Sequence, residues 1–538
     1  MEIHNKVSLK EKIGYALGDG AANIAWRGVA TFLFIFYTDV FGLSPITVGM
    51  LMLVARFSDG ISDVLMGIIG DRTKSKYGKF RPWILWTAIP LALSLSLLFT
   101  SPELGASGKI IYAYITYIFF TLIYTANNIP YGALMAVMTG DDKERTSIGS
   151  FRMVGAFGGG MLVQGALLFL VAYFGNVNPT IDVARLDADQ FRVEVTASRN
   201  VEHVNIKTDD GIALFTWEGT NANAVDNTPT NAKSFEMVEG EKYAFLVKGE
   251  EEIAASDISI IDQKQGYSRS MYVMSAFLAL LMFLTFYSTK ERVLPPKDQK
   301  NNLKQDFKDL IRNKPWIVLL GIGLLFNVYN SIKQGIVIIY FTHYLNDQLL
   351  SAFYLIGLML ASIAGAYFTA RLSLKFGKRN LFIYALIFSG AVNSLLAFCT
   401  PDSIGAIFTI GIISEFGAAI FPTLFFVMLG DAADFSEWKN GRRATGLIYS
   451  AGSFATKFGG GIAGAVIGLV LGAFHYNGQD ASAIQGAFPG MVMLMSWVPS
   501  IVAGIAAVVM LAYPLTSKKM EEITADLEQR RSASSTSS

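Results

Sequence analysis

Residues 55–85 read ARFSDGISDVLMGIIGDRTKSKYGKFRPWIL, and this stretch contains the pattern that decides the fold. An apolar segment is followed at 71–82 by a short link with five basic residues, and a second apolar segment then begins. Apolar runs of about 20 residues joined by short basic links are typical of helices that cross a bilayer, with the link on the cytoplasmic side. The stretch therefore predicts two neighbouring transmembrane helices.

The composition extends this prediction to the whole chain. Of 538 residues, 52% are apolar and only 16% are charged, and the mean hydropathy is +0.41. Soluble domains usually carry about 25% charged residues. The net charge of +1 gives no basic surface for nucleic acid, and the single cysteine, Cys399, excludes an intramolecular disulfide framework. Because the four histidines form no nucleophile or metal pattern, we do not expect an enzyme.

Twelve stretches are long and apolar enough to span a bilayer. Their approximate bounds are 13–38, 44–70, 83–101, 109–138, 148–175, 268–288, 315–345, 350–374, 380–400, 403–430, 446–474 and 488–514. Basic residues lie in the links 71–82, 140–147, 289–314 and 431–445. The alternate links at 39–43, 346–349, 401–402 and 475–487 contain no Lys or Arg. The positive-inside rule then predicts an integral membrane protein with both termini in the cytoplasm.

Two related loops suggest two homologous halves. The link after the second span reads KYGKFR (76–81), and the link after the eighth reads KFGKRN (375–380). Six spans before a basic linker and six after it match a parallel repeat about an axis along the membrane normal. The predicted segments are an amino-terminal bundle at 1–176 with five helices, an outer domain at 177–267, helix six at 268–288, a cytoplasmic linker at 289–314, a carboxy-terminal bundle at 315–515 and a cytoplasmic tail at 516–538.

The segment 177–267 differs from the rest because it carries 17 acidic and 8 basic residues. Apolar and polar residues alternate in FRVEVTA (191–197), and four further stretches between 204 and 249 show a similar pattern, with turn-rich pieces between them. This predicts a small all-β extramembrane insertion of five or six strands. It is either an inert structured loop or a lid, a docking surface for a protein partner or a glycan-binding module.

Asp59 and Asp63 lie inside the second span, where a carboxylate costs at least ~3 kcal/mol. At i and i+4 they share one helical face and would repel each other. A cation between them removes this cost, and Ser62 and Thr125 can complete an oxygen shell for Na⁺. Alternatively, Arg56 or a basic residue from another helix holds the pair. A shared proton meets the same need, so Na⁺ and H⁺ both remain open.

Lys457 lies in FATKFGGG (454–461), too deep in its span to reach the surface easily. Its expected partner is one of the carboxylates Asp59 and Asp63. The triple glycines at 158–160 and 459–461 are expected to allow close helix packing. Other polar residues predicted inside the spans are Asp19, Asn23, Arg27, Asn127, Asn128, Arg152 and Lys333.

Several stretches resemble one family, the glycoside–pentoside–hexuronide:cation symporters of the major facilitator superfamily, which contains the melibiose carrier. The matching stretches are YALGDGAANIAW (15–26), YTDVFGLS (37–44), residues 55–85, YTANNIPYGAL (124–134), ERTSIGSFRM (144–153), GDAADFSEWKNGRRATG (430–446) and TKFGGG (456–461). The resemblance implies twelve helices in two six-helix bundles, the major facilitator fold, in a bacterial inner membrane. The segment 177–267 has no counterpart in the usual family pattern.

The resemblance also implies a cation site. Asp59 and Asp63 match the two cation-binding carboxylates of the melibiose carrier, and Thr125 matches a threonine ligand. Ser62 replaces an asparagine ligand, and Lys457 matches the coupling lysine. The implied coupling ion is Na⁺ or H⁺, and no other cofactor is expected.

The positions that the resemblance places around the substrate are Asn23, Arg27, Tyr124, Asn128, Arg152 and Lys457. Asn23 and Asn128 are neutral where the melibiose carrier has carboxylates. Arg27 replaces a glycine, and Gly132 replaces a stacking tryptophan. Because two negative charges are lost and one positive charge is gained, we expect a pocket that accepts an acidic sugar, a uronide or an acidic oligosaccharide. Because the tryptophan is lost, we also expect this pocket to be roomier.

The implied function is cation-coupled import of a sugar by a monomer, through alternating access between the two bundles. The loops 71–81 and 375–379, with acidic residues of 431–445, either form ion pairs of an inner gate or serve only to set the topology. One alternative function is a lysolipid or amphiphile carrier of the same superfamily. The other is a membrane-anchored glycan sensor that binds through the outer domain.

Overall fold

The computed structural model describes residues 7–139, 142–187, 190–208, 213–218, 235–248, 253–292, 310–440 and 445–536. Its first half contains the helices α1 (Leu9–Ile35), α2 (Pro45–Arg72), α3 (Arg81–Leu98), α4 (Ala106–Met138), α5 (Asp142–Gly175) and α6 (Gln263–Ser288). The start of α2 is fixed by Ser44, whose side chain accepts a hydrogen bond from the backbone NH of Thr47, and by Pro45 in the first turn. These helices agree with the first six predicted spans.

The second half continues the helical pattern. It contains α7 (Lys314–Ile339), α8 (Leu350–Phe376), α9 (Lys378–Ser394), α10 (Ile404–Ala418), α11 (Ile420–Asn440), α12 (Thr445–Ala473), α13 (Ala481–Gly486), α14 (Phe488–Met495), α15 (Trp497–Leu511) and α16 (Ser517–Thr536). Three details differ from the prediction. The tenth span is made of α10 and α11 and runs on to Asn440, so the acidic residues 431–437 lie on a helix and not in a link. The twelfth is made of α14 and α15, and the tail at 516–538 contains the helix α16.

Nine helical segments in the described part of the chain are long and apolar enough to cross a membrane. Helices α1, α2 and α12 pack among them. The searched part of α12, Lys457–Ala473, is apolar but shorter than the other segments. The chain is therefore an all-α polytopic membrane protein with a small β insertion, as its sequence predicts.

The insertion contains seven strands within the described residues. They are β1 (Thr180–Arg185), β2 (Gln190–Thr196), β3 (Val201–Thr208), β4 (Ala213–Glu218), β5 (Phe235–Met237), β6 (Lys242–Lys248) and β7 (Ile258–Asp262). One sheet has the order β1-β2-β6-β4 and the other β5-β3-β7, with antiparallel pairing throughout. The prediction of five or six strands was too low, because β1 and β7 adjoin the membrane helices and their alternation was not recognised.

The β insertion is attached directly to the helices at both ends. The backbone NH of Val177 donates to the carbonyl of Ile260, and the side chain of Asp262 caps the first turn of α6. Helix α6 thus begins at Gln263, earlier than the predicted start at 268. Between the sheets lies an apolar core that includes Phe191, Val193 and Phe245, all at most 2% exposed. The outer face is the face of the helical bundles that carries this insertion, and the inner face is the opposite one.

The first helices of the two halves end in the same way. A π-helical segment of five residues continues each helix at the outer face, Phe36–Val40 after α1 and Tyr340–Tyr344 after α7. Such segments are rare and are frequent at functional sites. Their equivalent positions support the predicted repeat of two six-helix halves.

The two bundles approach each other most closely through α2 and α12. A Cβ atom on Gly49 would lie 2.7 Å from the carbonyl oxygen of Gly464, so only glycine permits this separation. Nearer the inner face, a Cβ on Gly67 would meet nothing within 4 Å. The close contacts described between α2 and α12 extend from Gly49 and Gly464 to Gly60, where a Cβ atom would lie 2.5 Å from the ring of Phe454.

The triple glycines also allow close packing, as predicted. A Cβ on Gly159 in α5 would collide with the backbone of Gly20 in α1. A Cβ on Gly459 in α12 would lie 2.5 Å from the carbonyl oxygen of Leu324 in α7. Each bundle therefore uses these glycines to bring two of its helices together, and the first pair positions α1 beside α5.

Candidate functional site

On α2, the carboxylates of Asp59 and Asp63 each lie beside a basic side chain. The guanidinium of Arg56 donates to Asp59 Oδ2 at 2.6 Å, and the side chains of both residues are at most 7% exposed. Lys457 Nζ on α12 pairs with Asp63 Oδ2, and Thr125 Oγ1 on α4 donates to Asp63 Oδ1 at 3.1 Å. Asp63 thus connects the two bundles, since α2 and α12 belong to different halves.

The donor set is suited to a small cation. Carboxylate oxygens of Asp59 and Asp63 and the hydroxyl of Thr125 are ligands that Na⁺ accepts, and the carboxylates also take up protons. Ser62 Oγ donates to the backbone carbonyl of Asp59 at 3.1 Å, inside its own helix. The arrangement therefore places Ser62 next to the carboxylates, with its hydroxyl proton directed at the helix.

A second cluster of polar side chains lies on α1 and the adjoining helix α5. Asp19 pairs with Arg152 of α5 at 3.4 Å, and Asn23 Nδ2 donates to the backbone carbonyl of Asp19 at 2.9 Å. The ring of Tyr124 in α4 lies 5.5 Å from that of Trp26 in α1. Three of the predicted substrate residues, Asn23, Tyr124 and Arg152, are therefore gathered along one length of α1.

A cavity between the bundles lies next to this group. It holds about 650 Å³ of empty space, counting its open mouth. From the first half, Trp26, Arg56 and Tyr117 line it, and Arg56 lies 4.8 Å above the Trp26 ring and donates to Tyr117 Oη at 2.7 Å. The second half contributes the polar residues Asn327, Asn330, Ser331 and Gln334 of α7. The lining does not include the predicted substrate residues Asn23, Tyr124, Asn128, Arg152 and Lys457, and Asn128 is half-buried on α4.

The polar face of α7 was not predicted. Its amides stand in the stretch FNVYNSIKQG (326–335), and only Lys333 was singled out there. Amide and hydroxyl residues at three- and four-residue spacing in an apolar helix are a signal that sequence reasoning can use.

Arg27 lines a neighbouring pocket together with Lys333, Ser362 and Glu415 of the second half. Lys333 is 2% exposed, and its Nζ lies 3.0 Å from Glu415 Oε2. Ser362 Oγ donates to Glu415 Oε1 at 2.9 Å. Glu415 was missed in the sequence, although a lone carboxylate in the apolar stretch IGIISEFGAAIF (410–421) is itself a sign of function.

Among the described residues, the charged groups of the candidate site form four ion pairs, and one residue is left over. The pairs are Asp19 with Arg152, Asp59 with Arg56, Asp63 with Lys457 and Glu415 with Lys333. Arg27 makes no hydrogen bond or ion pair within 4 Å with any residue in the described part of the chain. An unpaired charge inside a membrane costs at least ~3 kcal/mol.

The bundles are joined at the outer face through Asp39, in the π-helical segment after α1. Its carboxylate lies 2.6 Å from His343 Nε2, in the equivalent segment after α7. Tyr476, after α12, donates to the same carboxylate at 2.7 Å. Sequence reasoning missed this group because its members are 304 and 437 residues away from Asp39.

We expect the substitution Asp39→Asn to open the outer face more often, because it removes the negative charge and one of the two carboxylate oxygens that His343 and Tyr476 of the other bundle contact. The measurement is labelling of Ala30→Cys, a cavity residue, by an impermeant maleimide in a Cys399→Ser background. Labelling from outside should become about tenfold faster, the effect of losing a charged hydrogen bond. Asp347→Asn is the control, because Asp347 accepts from Leu350 within one bundle. Equal labelling with and without Asp39→Asn contradicts this role.

At the inner face, the ion pairs described lie within one bundle. Lys378 pairs with Asp431 at 2.8 Å in the second half. In the first half, Glu291 accepts hydrogen bonds from the backbone NH groups of Lys79, Phe80 and Arg81 and so holds the 71–82 link. Part of the predicted inner gate, including Arg442 and Arg443, lies outside the described residues. The inner gate therefore stays a prediction.

The two helical bundles share an ion pair within the membrane, Asp63 with Lys457, and contact each other at the outer face through Asp39. This arrangement is typical of a membrane carrier. The sequence model described as MFS/sugar transport protein matches residues 14–196 and 246–517, so the chain belongs to this family. The residues between these ranges, 197–245, fall within the β insertion. The chain is accordingly a sugar transporter of the major facilitator superfamily and not an enzyme.

Individual relatives agree with this assignment. A putative glycoside/cation symporter of Escherichia coli (strain K12) is 29% identical over 98% of this chain and 96% of its own. The isoprimeverose transporter of Lactiplantibacillus pentosus is 29% identical over 98% of this chain and 92% of its own. These relatives confirm the resemblance to cation symporters of glycosides.

Among solved structures, the chain is similar to a bacterial homolog of the human lysosomal transporter Spinster in an inward-facing, unoccupied conformation. The TM-score is 0.63, with 14% sequence identity, over 96% of this chain and 99% of that one. At this identity the likeness shows the fold alone, the major facilitator fold.

Proposed function

We propose that the protein is a symporter that couples the entry of a sugar to the entry of Na⁺ or H⁺. The observation that carries this proposal is the position of Asp63, which is shared between Thr125 in its own bundle and Lys457 in the other. A cation that binds at Asp59, Asp63 and Thr125 competes with Lys457 for the same carboxylate. Occupation of the site therefore changes the contact between the two bundles.

This competition gives a physical route to coupling. With no cation bound, Lys457 neutralises Asp63 and ties α12 to α2. A bound Na⁺ or proton takes over that role and releases Lys457, so the two bundles can rearrange around the substrate. Because the sugar residues Asn23, Tyr124 and Arg152 stand on the neighbouring helices, sugar and cation can each favour the binding of the other. Such couplings are typically worth about 1–3 kcal/mol.

The proposed substrate class is an acidic sugar, such as a uronide or an acidic oligosaccharide. Its support is the charge balance of the site, in which Arg27 remains after the four ion pairs are formed. A carboxylate or sulfonate on the sugar supplies the missing negative charge and forms charge-assisted hydrogen bonds with the guanidinium. The remaining hydroxyl groups suit the amides and hydroxyls of α7 and the aromatic faces of Trp26 and Tyr124.

We further propose that the protein is a monomer in a bacterial inner membrane, with both termini in the cytoplasm. The basic links at the inner face support this orientation through the positive-inside rule. The β insertion then lies outside the cytoplasm, where a glycan or protein partner remains a prediction. Its two connections at Val177 and Asp262 suit a domain that is fixed relative to α5 and α6.

Competition between matched sugars tests the substrate class. In vesicles that contain the protein, methyl glucuronide and methyl galacturonide should inhibit uptake of a labelled uronide about tenfold better than the corresponding methyl glucoside and galactoside. The two members of each pair differ only at C6, so the comparison isolates the acidic group. Stronger inhibition by the neutral members would show that the acidic class is wrong while leaving cation coupling open.

A further inference from the structure

We propose that Lys333 is a positioning residue for substrate specificity, because it keeps Glu415 away from Arg27. This inference rests on the proposed transport of acidic sugars and adds two residues that no family resemblance assigned. In this arrangement Arg27 stays available for the acidic group of the sugar. The ion pair Lys333–Glu415 itself does not need to touch the substrate.

The geometry brings the competing groups into one pocket. Arg27 of the first bundle and Lys333, Ser362 and Glu415 of the second all line it. Glu415 and Arg27 line the same pocket, although the two form no ion pair in the described part of the chain. If Glu415 were released from its present partners, it would be the natural counter-ion of the guanidinium, and the pocket would lose its attraction for an anion.

Glu415 is held by contacts on both of its oxygens. Lys333 Nζ lies 3.0 Å from Oε2, and Ser362 Oγ donates to Oε1 at 2.9 Å. Lys333 is fixed in turn by Tyr329, whose hydroxyl lies 3.3 Å from Nζ and whose ring centroid lies 5.1 Å from it. The carboxylate is therefore directed into its own bundle, toward α7 and α8.

Arg27 is positioned by packing and not by an ion pair. Its side chain passes over Gly160 of α5, where a Cβ atom would lie 2.5 Å from Cδ and 2.7 Å from Nε of Arg27. The same Cβ would lie 2.7 Å from Met359 Cε of the second bundle. The triple glycine at 158–160 thus makes room for the arginine at the boundary of the two bundles.

The pocket residues carry two positive charges and one negative charge, which leaves one positive charge for a ligand. The substitution Lys333→Gln removes the partner of Glu415 and leaves that carboxylate to pair with Arg27. The substitution Glu415→Gln removes the competitor itself. The two changes are therefore expected to act in opposite directions, and Glu415→Gln should correct the effect of Lys333→Gln in the double variant.

The test measures binding of methyl glucuronide and methyl galacturonide, and of the matching methyl glucoside and galactoside, to the purified full-length protein by calorimetry. Wild-type protein should prefer the acidic members, and Lys333→Gln should lower that preference about tenfold. Glu415→Gln should keep or raise the preference, and Lys333→Gln/Glu415→Gln should restore it. If Lys333 only stabilised the fold, the second substitution, Glu415→Gln, would not be expected to restore the preference for acidic sugars.

Two results overturn the inference, and they are distinguishable. If the wild-type protein prefers the acidic sugars but Lys333→Gln weakens acidic and neutral binding equally, without recovery in the double variant, Lys333 has no role in specificity and the proposed function stands. If the wild-type protein shows no preference for acidic sugars, the proposed substrate class is wrong and the role of Lys333 fails with it.

Discussion

The substitution Asp63→Asn is expected to abolish accumulation of the sugar against its gradient. A tenfold cation gradient stores about 1.4 kcal/mol, enough for about tenfold accumulation by a carrier that moves one cation with each sugar. In Asp63→Asn the accumulation ratio should fall to about one, because the carboxylate that distinguishes the cation-bound from the empty state is lost. The measurement is uptake of a labelled uronide into proteoliposomes with a Na⁺ or a pH gradient.

This variant also leaves Lys457 without its carboxylate partner inside the membrane, which typically costs about 3–5 kcal/mol for a buried pair. A failure to fold must therefore be separated from a failure to couple. The double variant Asp63→Asn/Lys457→Gln removes both charges and should recover thermal stability and sugar binding. It should still show no accumulation, whereas full accumulation in either variant would contradict the assignment of Asp63 as the coupling carboxylate.

The second large effect is expected for Arg27→Gln. The variant retains a polar but shorter side chain that cannot neutralise an anion, so binding of the acidic sugar should weaken by about 10- to 100-fold. Binding of the matched neutral sugar should change little. Calorimetric titration of the purified protein with each member of the pair measures both values.

The control for this experiment is Arg27→Lys, which retains the charge but not the planar guanidinium. It should keep a preference for the acidic sugar, although a smaller one, because lysine contacts an anion as a point charge. If Arg27→Gln weakens the acidic and neutral sugars to the same degree, Arg27 acts through packing on Gly160 and not through its charge.

The part of the site that one helix encodes could be predicted from the sequence. Asp59 and Asp63 share a helical face by spacing alone, and the cost of their burial required cationic partners. The structure gives each carboxylate one of the partners that the sequence offered, Arg56 for Asp59 and Lys457 for Asp63. Hydropathy and the distribution of basic residues predicted the helices for the same reason, because both depend on local sequence.

The part that depends on pairing between distant segments could not be predicted. Glu415 and Lys333 lie 82 residues apart, and neither local sequence indicates that the two residues form a pair. Asp39 is still more distant from His343 and Tyr476, and their meeting depends on the packing of the two bundles. A charged residue in an apolar span predicts that a partner exists, but the tertiary structure decides which residue it is.

The β insertion shows the same limit at its ends. Strands β2 to β6 were predicted from alternation, but β1 and β7 lie beside α5 and α6, where apolar residues of the membrane spans obscure the pattern. The pairing of β3 with β7 joins segments that are far apart in the sequence, such as Thr208 with Ile258, and no local signal indicates it.

The most direct test of the account is the response of uptake to the membrane potential. One cation carried with one monoanionic sugar moves no net charge, so a potential of 100 mV should leave accumulation of a uronide in proteoliposomes unchanged, while a Na⁺ or pH gradient should drive it. A neutral sugar carried with one cation would gain about 2.3 kcal/mol per 100 mV, an increase of about 50-fold. Uronide uptake that follows the gradient of one cation and ignores the potential is the predicted result, and uptake that neither gradient drives would contradict cation-coupled symport.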